Sequence, residues 1–229
     1  VDDFRHFRTA PMTVRLAVFD CDGTLVDSQA NIGRAMDETF AAAGLVVPPR
    51  EATRAIVGLS LVEAMRVLAP GLAGDEHHAL AAEYKLVYQR LRRDDALDDE
   101  PLFEGVAAAI DRLLAAGWKL GVATGKSDRG LAHVLERHGL ADRFVTLQTA
   151  DRHPSKPDPA MLLAAMAEAG ADPHMTAMIG DTSFDMAMAK AGGARAVGVA
   201  WGYHSIGELA DAGADVIARH ADELFGMLA

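Results

Sequence analysis

Val14-Arg15-Leu16-Ala17-Val18-Phe19-Asp20-Cys21-Asp22-Gly23-Thr24-Leu25 is the stretch that decides the fold. The run Val14 to Phe19 is short, bounded and rich in Val and Leu, the pattern of a buried strand. It ends in Asp20 and Asp22. Acids at a strand's carboxyl end fall at the mouth of a sheet, where open α/β folds place ligands. Two carboxylates so close repel each other and are costly to desolvate. A divalent cation that prefers oxygen is the simplest offset. One carboxylate held in this way can attack as a nucleophile while the other moves a proton.

Outward from this strand the pattern is first helical. Ile32, Met36, Phe40 and Ala43 share one face of a segment from Gln29 to Gly44, with Ser28 as expected N-cap and Gly44 as the stop. Arg50 to Val57, Leu61 to Ala69 and Glu76 to Arg93 read as further helices. The last carries the stripe Leu80, Tyr84, Val87, Tyr88 and Leu91. The charged stretch Arg90 to Glu100, closed by Pro101, reads as a linker.

After Pro101, helices and strands alternate: helix from Gly105 to Ala116, strand from Lys119 to Ala123, helix from Arg129 to His138, strand from Phe144 to Gln148. Helix from Pro159 to Ala169, strand from Thr176 to Ile179, helix from Phe184 to Ala191 and strand from Ala194 to Val199 continue it. A short strand near Val216 and a final helix close the chain. Such alternation predicts a parallel sheet covered on both faces, and the strand from Val14 to Phe19 must join it. The expected fold class is therefore α/β: a Rossmann-like parallel-sheet core from residues 12–28 and 101–229, with an all-helical cap, residues 29–100, inserted into it.

The chain has 229 residues, half of them hydrophobic, and no apolar run near the length a membrane helix needs. Residues Val1 to Pro11 read as a polar leader and not as a secretory signal. A single cysteine, Cys21, excludes an internal disulfide framework and fits the cytoplasm. The net charge of −11 argues against nucleic-acid binding, which needs Lys and Arg clusters, but not against a small anionic substrate.

Four clusters close four of the core strands: Asp20-Cys21-Asp22-Gly23-Thr24, Thr124-Gly125-Lys126, Lys156-Pro157-Asp158-Pro159, and Gly180-Asp181-Thr182-Ser183-Phe184-Asp185. Parallel strands bring such ends to one edge. Each cluster suits phosphate chemistry. Thr124 offers a hydroxyl and Gly125 an unobstructed N–H to phosphate oxygens. Lys156 brings a point charge, and Asp181 and Asp185 add acids for a magnesium site that also uses Asp20. A carboxylate about 4 Å from a phosphate meets roughly 4 kcal/mol of repulsion per charge pair at an effective dielectric of 20. Such a metal with Lys156 opposite would reverse that sign.

In order and spacing these motifs resemble the haloacid dehalogenase-like superfamily, in its phosphatase branch with a small helical cap. The resemblance spans about residues 13 to 225. Arg54-Ala55-Ile56-Val57-Gly58-Leu59-Ser60 and Val199-Ala200-Trp201-Gly202-Tyr203 make the chain most similar to phosphoglycolate phosphatase-like proteins. The resemblance implies a magnesium-dependent (Mg2+) phosphatase of a small phosphomonoester such as 2-phosphoglycolate. Asp20 would be the nucleophile, forming an aspartyl-phosphate. Asp22 would be the acid and then the base, its backbone carbonyl also on the metal. Thr124 and Lys156 would hold the phosphoryl group, and Asp181 and Asp185 would complete the metal site. Gly23, Gly125 and, from the cap, Arg54 are the further substrate positions, with Lys85 a second cap cation. The implied partner is a small phosphorylated metabolite, with no nucleic acid and no membrane, bound by a monomer or homodimer. A phosphomutase of the same superfamily and a non-catalytic binding protein on the same scaffold are the alternatives.

Plainer roles stand beside these. Asp27 and Ser28 suit a hinge and helix cap, Lys126 either a phosphate ligand or a surface lysine at a helix entry, and Asp158 a turn and N-cap. Cys21 suits burial, with no His/Asn partner pattern. The nine histidines form no metal motif. Trp201 and Tyr203 suit either packing or the rim of the site.

Overall fold

The computed structural model describes residues 14–228. The leader Val1 to Pro11 and the first two residues of the expected core segment lie outside the described residues.

Strand β1 (Leu16–Phe19) is buried throughout, and its alternate side chains serve two different cores. Ala17 and Phe19 pack with Ile110, Leu131 and Leu135, while Leu16 and Val18 pack with Met161, Leu162 and Met186. Successive side chains of a strand point to opposite faces, so burial on both produces the unbroken apolar run of the sequence. Around β1 lie β2 (Lys119–Thr124), β3 (Thr146–Thr149), β4 (Thr176–Gly180), β5 (Arg195–Val199) and β6 (Val216–Ala218). All five pairings are parallel, in the order β3-β2-β1-β4-β5-β6. The chain steps from β1 outward to β3, then returns to the other side of β1 to begin β4. Such a reversal leaves a crevice at the carboxyl ends of β1 and β4.

Between β1 and β2 come α1 (Gln29–Ala42), α2 (Arg50–Ala55), α3 (Leu61–Leu68), α4 (Gly74–Arg93) and α5 (Val106–Ala115). The first four gather around an apolar cluster of their own that includes Met36, Phe40, Met65, Leu80, Val87 and Leu91. The two passages that join them to the sheet run side by side. The Asp27 N–H donates to the Pro101 carbonyl at 3.0 Å, and the Phe103 N–H to the Leu25 carbonyl at 3.0 Å.

The remaining helices, α6 (Asp128–Arg137), α7 (Ala160–Ala169), α8 (Ser183–Ala191), α9 (Ile206–Asp211) and α10 (Leu224–Leu228), cover the sheet. Among the described residues no helix is long and apolar enough to cross a membrane.

The structure departs from the expected elements at four points. Helix α4 continues to Arg93, so the linker is only the segment after it. Strand β3 starts at Thr146, because Ala141–Arg143 form a 3-10 turn just before it. Helix α9 was not foreseen, although Ser205 and Glu208 form a reciprocal capping box that its spacing announces. At the start of α1, Ser28 makes no capping bond; the Gln29 N–H donates to Asp27 Oδ1 at 3.2 Å instead.

Candidate active site

The register of the central strands assembles the site. Phe19 pairs with Ile179 on one side and with Val122 on the other, so the residues that follow emerge at one edge. Asp20 and Asp181 leave neighbouring strands, Thr124 ends β2, and Asp185 sits in the first turn of α8. Lys156 enters from the loop before α7. Asp20, Asp181, Asp185, Lys156 and Thr124 are all buried, the three acids and Thr124 completely. One carboxylate oxygen from each of Asp20, Asp181 and Asp185 lies within 4.8 Å of the others.

The three acids differ in what already holds them. Asp185 is the N3 acid of α8's capping box: its Oδ2 accepts from the Thr182 N–H and hydroxyl, and its Oδ1 from Lys156 Nζ at 2.6 Å. Asp181 accepts from the Thr24 hydroxyl and the Tyr203 N–H, both at 2.8 Å. Gly23, at φ +84°, passes so close that a Cβ there would meet an Asp181 oxygen at 2.1 Å. Only glycine combines that backbone conformation with that approach. Asp20 is different. Lys156 Nζ stands 2.9 Å from its Oδ1 as an ion pair, yet neither oxygen receives an aligned hydrogen bond. Among the described residues it is the only buried carboxylate left so.

The electrostatics follow from this packing. Burial raises the Asp20 pKa to about 7; Lys156 opposes that rise, while Asp185 and Asp22 add to it. Burial also lifts Asp181, helped by the charges of Asp20 and Asp185. For Lys156, burial alone would lower the pKa, but Asp185 and Asp20 outweigh it and keep the ammonium charged. Three crowded acids with one lysine leave negative charge in excess. Two Asp20 oxygens without an aligned hydrogen bond, beside Asp181, are the donor set that a hard divalent cation takes, so these residues fit the expected metal.

Asp22 stands apart from this trio. Its Oδ1 accepts from the Ser28 hydroxyl and pairs with Lys126 Nζ at 2.8 Å. This gives Ser28 its work in place of capping. It also decides against the surface reading of Lys126, whose side chain is 12 % exposed and paired with Asp22. Tyr203 closes the group, its hydroxyl accepting from the Ser28 N–H at 3.1 Å. Cys21 is fully buried beneath, and burial pushes its thiol up, as befits packing and not nucleophilic chemistry.

Arg54, expected to contact substrate, is engaged elsewhere. It donates from Nε to the Tyr203 carbonyl at 2.8 Å and from a terminal nitrogen to the Gly202 carbonyl at 2.9 Å. His204 lies nearby: its Nδ1 accepts from the Ser183 N–H at 3.1 Å, and its Nε2 is 3.2 Å from the Ala55 carbonyl. The sequence offered no spacing that marks the loop 200–204 as the clasp between α2 and the acid site. Arg54 and Asp181 meet it through backbone carbonyls and an N–H, which any residue supplies, while Tyr203 and His204 add side-chain contacts.

Gly125 shows how closely the helices sit over the sheet edge. A Cβ there would stand 2.5 Å from the Leu59 carbonyl oxygen and 2.8 Å from that of Gly58. Backbone cannot yield as a flexible side chain can. Gly125→Ala should therefore displace the 58–59 loop and the Gly125 N–H together. A displacement of about 1 Å costs on the order of 10²-fold in rate. The expected outcome is such a fall in kcat/KM with an unchanged far-UV circular dichroism spectrum; full activity would show that the loop does not press on Gly125 in solution.

Comparison with known proteins places this geometry. Residues 14–193 match the family model described as haloacid dehalogenase-like hydrolase. The Dickeya dadantii protein named "Probable phosphatase IndB" is 37% identical over 216 residues, covering 92% of each chain. A phosphoglycolate phosphatase of Chromobacterium violaceum is 31% identical over 222 residues, covering 94% of this chain and 96% of that one. The crystal structure of a Bacteroides fragilis protein described as "Putative haloacid dehalogenase-like hydrolase" superposes with a TM-score of 0.84 at 24% identity, over 93% of this chain and all of the other.

Proposed function

Because the chain belongs to the haloacid dehalogenase-like hydrolase family, we propose that it is a magnesium-dependent phosphatase that hydrolyses a small phosphomonoester through an aspartyl-phosphate on Asp20. The observation that carries this reading is Asp20 itself: fully buried at the switch point of the sheet, beside Lys156, with both oxygens free of hydrogen bonds. Magnesium held by Asp20, Asp181 and the Asp22 carbonyl, with Asp185 supporting, would neutralise charge on the carboxylates and the phosphoryl group.

The chain's own residues then divide the work. Thr124 and the Gly125 N–H bind phosphoryl oxygens, and Lys156 holds the Asp20 carboxylate in place. An Asp20 oxygen attacks phosphorus, and the bond from phosphorus to the leaving oxygen breaks. Asp22, protonated, gives its proton to that oxygen, and the alcohol departs. The Asp22 carboxylate next takes a proton from water as the water oxygen attacks phosphorus. The bond to Asp20 breaks and inorganic phosphate is released. Ser28 and Lys126 hold the Asp22 carboxylate, which lines the cavity under the inserted helices. The helices over the site exclude bulk water. The partner is a small phosphorylated metabolite and neither nucleic acid nor membrane, in keeping with the net charge of −11; the active form is a monomer or homodimer.

Purified protein with magnesium should release inorganic phosphate from at least one member of a broad phosphomonoester panel, and none after chelation. Release from no member would overturn the reading. Magnesium should also stabilise the fold without substrate. At about 100 times its Kd it adds roughly 2.7 kcal/mol, a rise of several degrees in Tm for a chain of this size. No rise in Tm would remove the metal from the account.

A further inference from the structure

A cavity of about 300 Å³ lies between the four inserted helices and the sheet edge, and Asp22, Gly125 and Lys126 join it to the acid site. Much of its wall is apolar: Ile32 and Met36 from α1, Ile56 and Leu59 after α2, Ala64 from α3 and Tyr84 from α4. That is the lower end of the range, roughly 300–1,000 Å³, of pockets that enclose drug-sized ligands. A two-carbon acid would leave much of it to water against apolar walls.

The cations do not suit a short carboxylate either. Lys126 is paired with Asp22, Lys85 lies 3.4 Å from Asp151, and Arg54 holds the carbonyls of Gly202 and Tyr203. A carboxylate set among Ile32, Met36 and Tyr84 would lose its hydration, and the cavity's cations without an ion-pair partner lie elsewhere in its lining. The polar lining residues of α4 and α6 are different: Gln89 and Arg129 are exposed, so they mark the outer end. Arg92 lies with them over the Tyr88 ring, 5.3 Å from its centroid. Among the described residues neither Arg92 nor Arg129 has an ion-pair partner, so the free cations of this cavity stand at its outer end.

We propose that the leaving alcohol of the natural phosphomonoester bears a ring, apolar on its faces and polar at its outer edge, and is not a two-carbon acid. The proposal rests on the phosphatase reading above. Flat apolar faces match the aliphatic walls and Tyr84, and hydrogen-bonding edge atoms match Gln89, Arg92 and Arg129.

Phosphate release with magnesium should be compared for benzyl phosphate and 2-phosphoglycolate. The wild-type kcat/KM should favour benzyl phosphate at least tenfold. Ile32→Trp, which fills the cavity from a half-buried position, should cut that ratio at least fivefold, and Ala64→Leu should act in the same direction. A wild-type preference for 2-phosphoglycolate, or a ratio that folded variants leave unchanged, overturns the proposal. Calorimetry separates this from failure of the phosphatase reading. If no ester is hydrolysed, that reading falls; benzylphosphonate binding tighter than phosphonoacetate, and weakened by Ile32→Trp, still supports the cavity's occupant, while equal binding overturns it too.

Discussion

Asp20→Asn should reduce turnover by roughly 10⁴-fold or more, because the amide cannot form the covalent intermediate. It should not unfold the protein. The asparagine keeps the shape of the aspartate and removes a charge that burial disfavours. Its effect on pH dependence has a definite sign. With magnesium chelated, Asp20 in the folded chain titrates at about 7, whereas in the unfolded chain it titrates near 4. The folded state therefore holds a proton that the unfolded state has released. The stability this group contributes is present at low pH and is lost as pH rises from about 4 to 7. The variant lacks the group, so its Tm should fall less than wild type across that window. An active Asp20→Asn enzyme would remove Asp20 as nucleophile. A Tm profile as steep as wild type would mean that Asp20 is not held neutral by its surroundings.

Lys156→Met should be the most damaging single change to stability. Its side chain is wholly buried, 2.9 Å from Asp20 and 2.6 Å from Asp185. Methionine approximates its volume and supplies no charge, leaving two buried carboxylates without a cation. Breaking a buried pair in this way costs about 3–5 kcal/mol, or a fall of roughly 10 °C in Tm for a chain of this size. Magnesium should restore part of that loss, since it too neutralises Asp20. Activity should fall with stability even at temperatures where the variant is folded, because nothing then holds the attacking carboxylate. A Tm within a degree or two of wild type would show that Lys156 is not the counter-charge of this cluster.

The contrast between what was legible and what was not has a physical basis. A strand buried on both faces must be apolar throughout, so β1 and the acids at its end stood out. The stripe of α4 was equally plain, because Leu80, Tyr84, Val87 and Leu91 fall at helical spacing and all four are buried. Gathering Asp20 and Asp181 needed only the rule that parallel strand ends share an edge; Lys156 and Asp185 reach that edge from a loop and from the first turn of α8. The readings that needed correction concern side chains with two possible partners. Ser28 could cap α1 or hold Asp22, and the sequence pattern is the same for both. Arg54 could meet a substrate or a carbonyl, and only the path of residues 202–203 decides between them. Lys126 looked like a surface residue because the four helices that cover it lie some 30 to 100 positions earlier in the chain. These choices are tertiary, and local spacing carries no trace of them.

The central claim is that a carboxylate oxygen of Asp20 bonds to phosphorus during turnover. It is tested most directly by quenching the working enzyme in acid within a single turnover and mapping its peptides by mass spectrometry. One phosphoryl group should be found on the peptide that carries Asp20, and none after Asp20→Asn. Label on a different residue, or rapid phosphate release with no labelled peptide at any quench time, would contradict it.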